Sequence, residues 1–196
     1  MKKLIALMLV LTLALSLFAA CGKKTEAPAA DPTTEVTEPQ VAVPGSALEI
    51  LENIWAKYGD EEKFPVMGGN IENAVMDAPG EYDLQYAENM TYNLLVPAEL
   101  IGGVDQAASM IHAMNANTFT CGAFHVTAPE GFGKAMNEAI AGNMWMCGFP
   151  ERQVIVSLGG GYFVAAFGVN DAMTPFFTHL QEAYPEAEIL FDEPIA

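Results

Sequence analysis

The chain has 196 residues, 8 Lys+Arg against 25 Asp+Glu, a net charge of −17 and 52% apolar residues. That length fits one folded domain with an appendage. The apolar share excludes a chain disordered throughout, the acid excess excludes nucleic acid as a partner because its phosphates would be repelled, and three cysteines are too few for a disulfide scaffold or a four-cysteine zinc site.

Lys2 and Lys3 precede a run from Leu4 to Ala20 that is apolar apart from Thr12 and Ser16. A short basic segment, an apolar segment and small residues before a cut describe an export signal, and the run is at the short end for crossing a bilayer. Leu17-Phe18-Ala19-Ala20-Cys21-Gly22 resembles a bacterial lipobox. The resemblance implies that residues 1–20 are removed and that Cys21 receives a diacylglycerol. Two acyl chains suffice for stable anchoring, so the expected location is the outer face of the cell membrane, with membrane lipid engaged through Cys21.

Residues 21–45 contain Pro28, Pro32, Pro39 and Pro44 among Thr, Glu and Ala, with few large apolar side chains. Such a segment buries too little surface to offset its ordering entropy and reads as a semi-extended tether. Lys23 and Lys24 would meet anionic headgroups beside the lipid. From Ser46 onward only Lys57, Lys63, Lys134 and Arg152 are basic, so residues 46–196 carry the whole of the net −17.

Ser46-Ala-Leu-Glu49 is a capping box, and Leu48, Leu51, Trp55 and Tyr58 follow at helical spacing up to Gly59. The spacing predicts a helix over 46–58. Turn signals at Gly68-Gly69 and Pro79-Gly80 break the next stretch, with a short helix expected near Tyr86–Leu95 and helix continuing through Ala98–Ala108. A strand over 109–115, a turn at 115–117 and a strand over 118–126 come next. Thr127-Ala-Pro-Glu130 reads as a second capping box, opening a helix whose apolar face is Phe132, Ala135, Met136, Ala139, Ile140 and Met144. The order then recurs: strand 153–158, turn Gly159-Gly160-Gly161, strand 162–169, and a helix capped by Asn170 or Asp171 with Met173, Phe176, Phe177, Leu180 and Tyr184 on one face. A last strand covers 188–191. The fold class is α+β: two ββα units forming an antiparallel sheet packed on helices in two layers, plus an N-terminal helix, all in one domain spanning 46–196.

Met114-Asn-Ala-Asn-Thr-Phe119 and Trp145-Met-Cys-Gly-Phe-Pro150, taken with the lipobox, resemble a group of clostridial-type lipoproteins of unassigned function, some of which carry the label bacteriocin transport accessory protein. The label implies a thioredoxin-like role at a membrane exporter. The chain has no Cys-x-x-Cys pair, and Trp145-Met-Cys147 closes a helix where a thioredoxin site would open one.

Candidate chemistry is sparse, and no cofactor is expected. Met110, His112 and Met114 alternate along a strand and would share one face. Thioether and imidazole ligands suit Cu(I), whereas core packing is the commoner use of Met. A two-residue hairpin loop would pair His112 with Cys121, a three-residue loop with Thr120. Asp60-Glu61-Glu62 and the loop acids Asp77, Glu81 and Asp83 lack a calcium-loop pattern and read as solvated charge. Gly159-Gly160-Gly161 lacks the Lys-Ser/Thr of a phosphate loop. His125 and His179 could serve a Ser or Cys nucleophile, although no spacing points to one. Cys121 and Cys147 are a possible disulfide, because export favours oxidation and a helix returning from Glu130 would bring Cys147 back to the start of the strand that holds Cys121.

The leading functional expectation is a non-enzymatic binding or transport-accessory module, with an exporter, transporter or other envelope protein as partner. The competing readings are a thiol/redox accessory protein using Cys121 or Cys147 and a soft-metal lipoprotein. Mass spectrometry of the mature N-terminus is expected to show a diacylated Cys21; a retained Met1 or an unlipidated form would contradict the lipobox.

Overall fold

The computed structural model describes residues 43–195; the expected export signal, Cys21 and nearly all of the expected tether fall outside the described residues. Helix α1 (Ala47–Trp55) begins as the capping box requires, with the Glu49 N–H donating to Ser46 Oγ at 3.1 Å. It buries Ile50, Leu51, Ile54 and Trp55 and ends three residues before the predicted stop, leaving Tyr58 buried in the following turn.

The short strands β1 (Val66–Gly68), β2 (Val75–Met76) and β3 (Gly80–Glu81) come next, then a 3-10 turn over Leu84–Asn89 leading into α2 (Met90–Asn93). The predicted helix near 86–95 is therefore one turn of each kind. The helix expected over 98–108 is instead a 3-10 turn, Ile101–Gly103, and the first half of strand β4 (Val104–His112). Ala107 and Ala108 have helical propensity, but they pair with Phe124 and Ala123 of β5 (Phe119–Val126), and the Ala107 carbonyl also accepts from the Tyr82 N–H. Tertiary pairing overrides the local preference.

Helix α3 (Phe132–Ala141), β6 (Arg152–Gly159), β7 (Tyr162–Gly168), α4 (Asn170–Ala183) and β8 (Glu188–Pro194) complete the chain. Two predicted caps are replaced. Thr127 Oγ1 donates to the Gly103 carbonyl rather than capping α3, which starts after Gly131 at φ +77°. At α4 the Glu151 carboxylate accepts from the Asn170 N–H at 2.7 Å, so the cap comes from a distant residue rather than from Asn170 or Asp171. Helix α3 also ends before Met144, which is exposed.

All pairings are antiparallel, in the order β2-β1-β4-β5-β7-β6-β8, with β3 also on β4. The two ββα units are present, but the sheet is covered on both faces, so the predicted two layers become three. The reason lies in the crossovers. β5 passes through α3 to β6, skipping β7; β7 passes through α4 to β8, skipping β6. Both step the same way across the sheet, yet β5 and β7 run in opposite directions. Crossovers between parallel strands are overwhelmingly right-handed, and two crossovers of one hand with opposed strands must put their helices on opposite faces. Accordingly α1 and α4 share a core with Cys121, Val154, Val156, Val164 and Ala166. α3 and the 84–96 segment share the other, with Phe124, Ile155, Phe163, Ala165 and Phe167. Adjacent residues of β6 and β7 alternate between the two cores, and all seven residues of β7 are buried.

β1 and β3 abut end to end along β4, Gly68 opposite Met110 and Gly80 opposite Ser109. A Cβ on Gly68 would stand 2.0 Å from the Gly80 backbone nitrogen. Gly68→Ala is expected to destabilise the domain by about 3 kcal/mol, the upper range for overpacking, with a fall in Tm of roughly 6–12 °C. Gly102→Ala, where a Cβ meets nothing within 4 Å, should leave thermal unfolding within about 0.5 kcal/mol of the parent.

Candidate functional site

The three histidines are engaged locally. His112 Nδ1 accepts from the Met114 and Asn115 N–H groups at 3.2 and 3.3 Å, and its ring stacks on Phe64 with centroids 5.7 Å apart. His125 Nδ1 meets Asp105 Oδ1, and its Nε2 meets the Gly160 carbonyl at 3.1 Å, so the ring pins the glycine turn to the start of β4. His179 packs on Tyr58 and stands 3.1 Å from Glu182 and 3.4 Å from Glu62. Burial, with Cys121 and Glu62 close by, raises the Tyr58 phenol far above its ordinary range. Among the described residues no histidine is hydrogen-bonded to a serine, threonine or cysteine side chain.

The soft-metal trio does not assemble. Met110 is wholly buried in the core under α1, Met114 is exposed beyond the end of β4, and the His112 Nδ1 lone pair is taken by the turn. The hairpin turn covers 113–118, longer than a two- or three-residue loop, so His112 pairs with neither Cys121 nor Thr120; Met110 stands opposite Cys121 and Ile111 opposite Thr120.

The cysteines do not pair in this structure. Both are free, Cys121 buried and Cys147 exposed. Along the sheet, the Cys147 carbonyl accepts from Asn115 Nδ2 at 2.9 Å, beside the start of β5. The separation from Cys121 is one of face. Cys121 belongs to the core under α1 and α4, whereas the loop after α3 lies over the other face, with the Trp145 ring 5.0 Å from Phe167. Burial pushes the Cys121 thiol well up, away from thiolate chemistry.

What the fold does assemble is a cavity of about 290 Å³ at one end of the sheet. Ile111 and Phe167 form its floor, and Leu95 and Trp145 are among its other apolar lining. Asn70, Asn93, Asn117 and Asn143 supply the polar lining, and no lining side chain is charged. Asn117 Nδ2 donates to the carbonyls of Met146 and Gly148 at 2.8 and 3.1 Å, docking the 143–149 loop onto the β4–β5 turn. Buried Asn70 accepts from the Asp83 N–H at 2.9 Å and donates to Glu72, holding the opposite wall. Asn93 donates to the Tyr82 hydroxyl at 3.2 Å. Trp145 Nε1 is buried and meets no acceptor in the protein. Leu95 has φ +57°, a conformation costly for a branched side chain, and strain of this kind gathers at functional sites.

The surroundings are as distinctive as the cavity. Ile71, Tyr92, Met114, Met144, Met146 and Phe149 are each at least 75% exposed; no other large apolar residue among those described reaches 62%. Ile71 and Tyr92 line the cavity, and the other four lie on the turn and the loop that help form it. In the sequence Asn115-Ala-Asn117 marks a turn and Trp145 belongs to a motif, but nothing there shows that they meet; Asn70 and Leu95 carry no signal. Comparison with family models, curated proteins and solved structures finds no match for this chain.

In a chain that begins at residue 22, a thiol reagent is expected to modify Cys147 rapidly and Cys121 only after unfolding. Two thiols that react only after reduction would show a disulfide instead.

Proposed function

We infer that this chain is an extracytoplasmic lipoprotein, anchored through Cys21, whose domain is a non-enzymatic binding or transport-accessory module. The observation that carries the reading is the gathering, around one uncharged cavity, of the six most exposed large apolar side chains among the described residues. Large exposed apolar patches mark sites of interaction, and methionine and aromatic side chains adapt to what they cover.

The position of the chain entry supports the same reading. Val43 lies against Gly160, and the Tyr162 hydroxyl donates to the Gly45 carbonyl at 3.3 Å. The described chain thus enters at the β6–β7 turn. The cavity lies at the other end of β7, beside Phe167, roughly 17 Å along the strand. A domain tethered from its entry end leaves the apolar pole free to meet an exporter, transporter or other envelope protein. The resemblance to lipoproteins with a transport-accessory label agrees with this role.

The test is retention of a protein from solubilised membranes by the immobilised mature chain. The expected result is a partner retained by the parent and lost with Ile71→Asp/Met146→Asp, both exposed positions, at an unchanged Tm. Loss of nothing on that substitution, or turnover of a thioester or ester substrate that Cys147→Ser abolishes, would overturn the reading.

A further inference from the structure

The cavity pole also indicates what kind of partner it takes. Between Phe64 and Glu151 the chain carries one basic residue, Lys134, against nine acidic ones. Every segment that lines the cavity, apart from Phe167 on β7, falls within that stretch. Lys134 itself is on α3 and is 3.6 Å from Glu138. The pole is therefore apolar at its centre and set in a surface with a one-sided negative charge. Glu72 stands next to Ile71 and is exposed, and Asp77 and Glu88 are exposed on the neighbouring segments.

We propose that this pole docks an extended polypeptide segment bearing a large apolar side chain flanked by lysine or arginine. The proposal rests on the reading of the domain as a binding module and names the partner of that module. The cavity accommodates the apolar side chain. The Asn143 amide suits the carbonyl and N–H groups of a peptide backbone. The acidic surround draws in the flanking cations and disfavours a second copy of this chain, which carries the same charge. A glycan would use the amides and Trp145 but has no use for three exposed methionines, and it gains nothing from the charge.

The experiment titrates a lipid-free chain that begins at residue 22 with three synthetic fifteen-residue peptides of the same apolar content. One carries four lysines, one four glutamates and one neither; chitotetraose is a fourth probe. Calorimetry or Trp fluorescence reads the binding. The lysine peptide is expected to bind at least about tenfold more tightly than the glutamate peptide, and to weaken severalfold between about 50 and 500 mM salt as the Debye length shrinks. Ile71→Asp/Met146→Asp is expected to weaken it roughly 30-fold, as loss of a hot spot does. Tyr92→Asp should do likewise, while Ile189→Asp on β8 should change nothing.

Equal binding of the lysine and glutamate peptides, no peptide binding, binding of chitotetraose alone, or sedimentation of the parent as a dimer that the double substitution dissolves would each overturn the proposal. If the peptides fail while a membrane protein is still retained and still lost with Ile71→Asp/Met146→Asp, the partner chemistry is wrong and the module stands. If the peptides bind as expected but no membrane protein is retained, the docking site stands and the accessory role falls.

Discussion

Two crossovers of the same hand, started from strands that run in opposite directions, determine most of this structure. They force α3 and α4 onto opposite faces of one sheet, so β5, β6 and β7 are buried on both sides. A strand in that position cannot alternate apolar and polar residues. β7 reads Tyr162-Phe-Val-Ala-Ala-Phe-Gly168, apolar throughout, with small residues where a helix or a neighbouring ring comes close. Gly122 on β5 shows the same constraint: a Cβ there would enter the Phe124 ring at 2.4 Å. Continuous burial of this kind is usual for parallel sheets covered by helices; here crossovers that skip a strand produce it in an antiparallel one.

The same arrangement gives the domain two unlike ends. At one end the glycine turn, His125, Asp105 and the incoming chain at Gly45 are tied together by hydrogen bonds. At the other, the β4–β5 turn and the loop after α3 meet through amide side chains and leave a cavity between the sheet and the 67–95 segment. The loop after α3 reaches that end because α3 runs antiparallel to β5 on the same face. The cavity is therefore a product of the crossover, with its walls tuned by asparagines whose hydrogen bonds are largely spent on structure.

The repeated ββα order was legible in the sequence because strong apolar runs, a glycine triplet and two amphipathic helices mark it without ambiguity. What was not legible depends on distant partners. Val104–Ala108 looked helical until β3 and β5 were there to pair with it. Thr127 and Asn170 looked like caps, but Gly103 and Glu151, far away in sequence, took the bonds. The two-layer expectation failed because alternation of strand direction, which sets the face of each helix, is invisible until strand order is known. The cavity draws on five separated segments, so only its fragments, Asn115-Ala-Asn117 and Trp145, stood out. The same blindness to faces put Cys121 and Cys147 together lengthwise and on the wrong sides of the sheet.

On the proposed reading this domain works through the pole opposite its chain entry, and methionine methyl groups are placed to report on it. Met114, Met144 and Met146 are exposed at the pole, whereas Met90, Met110, Met136 and Met173 are wholly buried. In a methyl-labelled mature chain, the lysine-bearing peptide is predicted to shift and broaden the NMR signals of Met114, Met144 and Met146 and to leave those of Met110 and Met173 in place. Saturable binding with those three methyl signals unmoved would contradict the account.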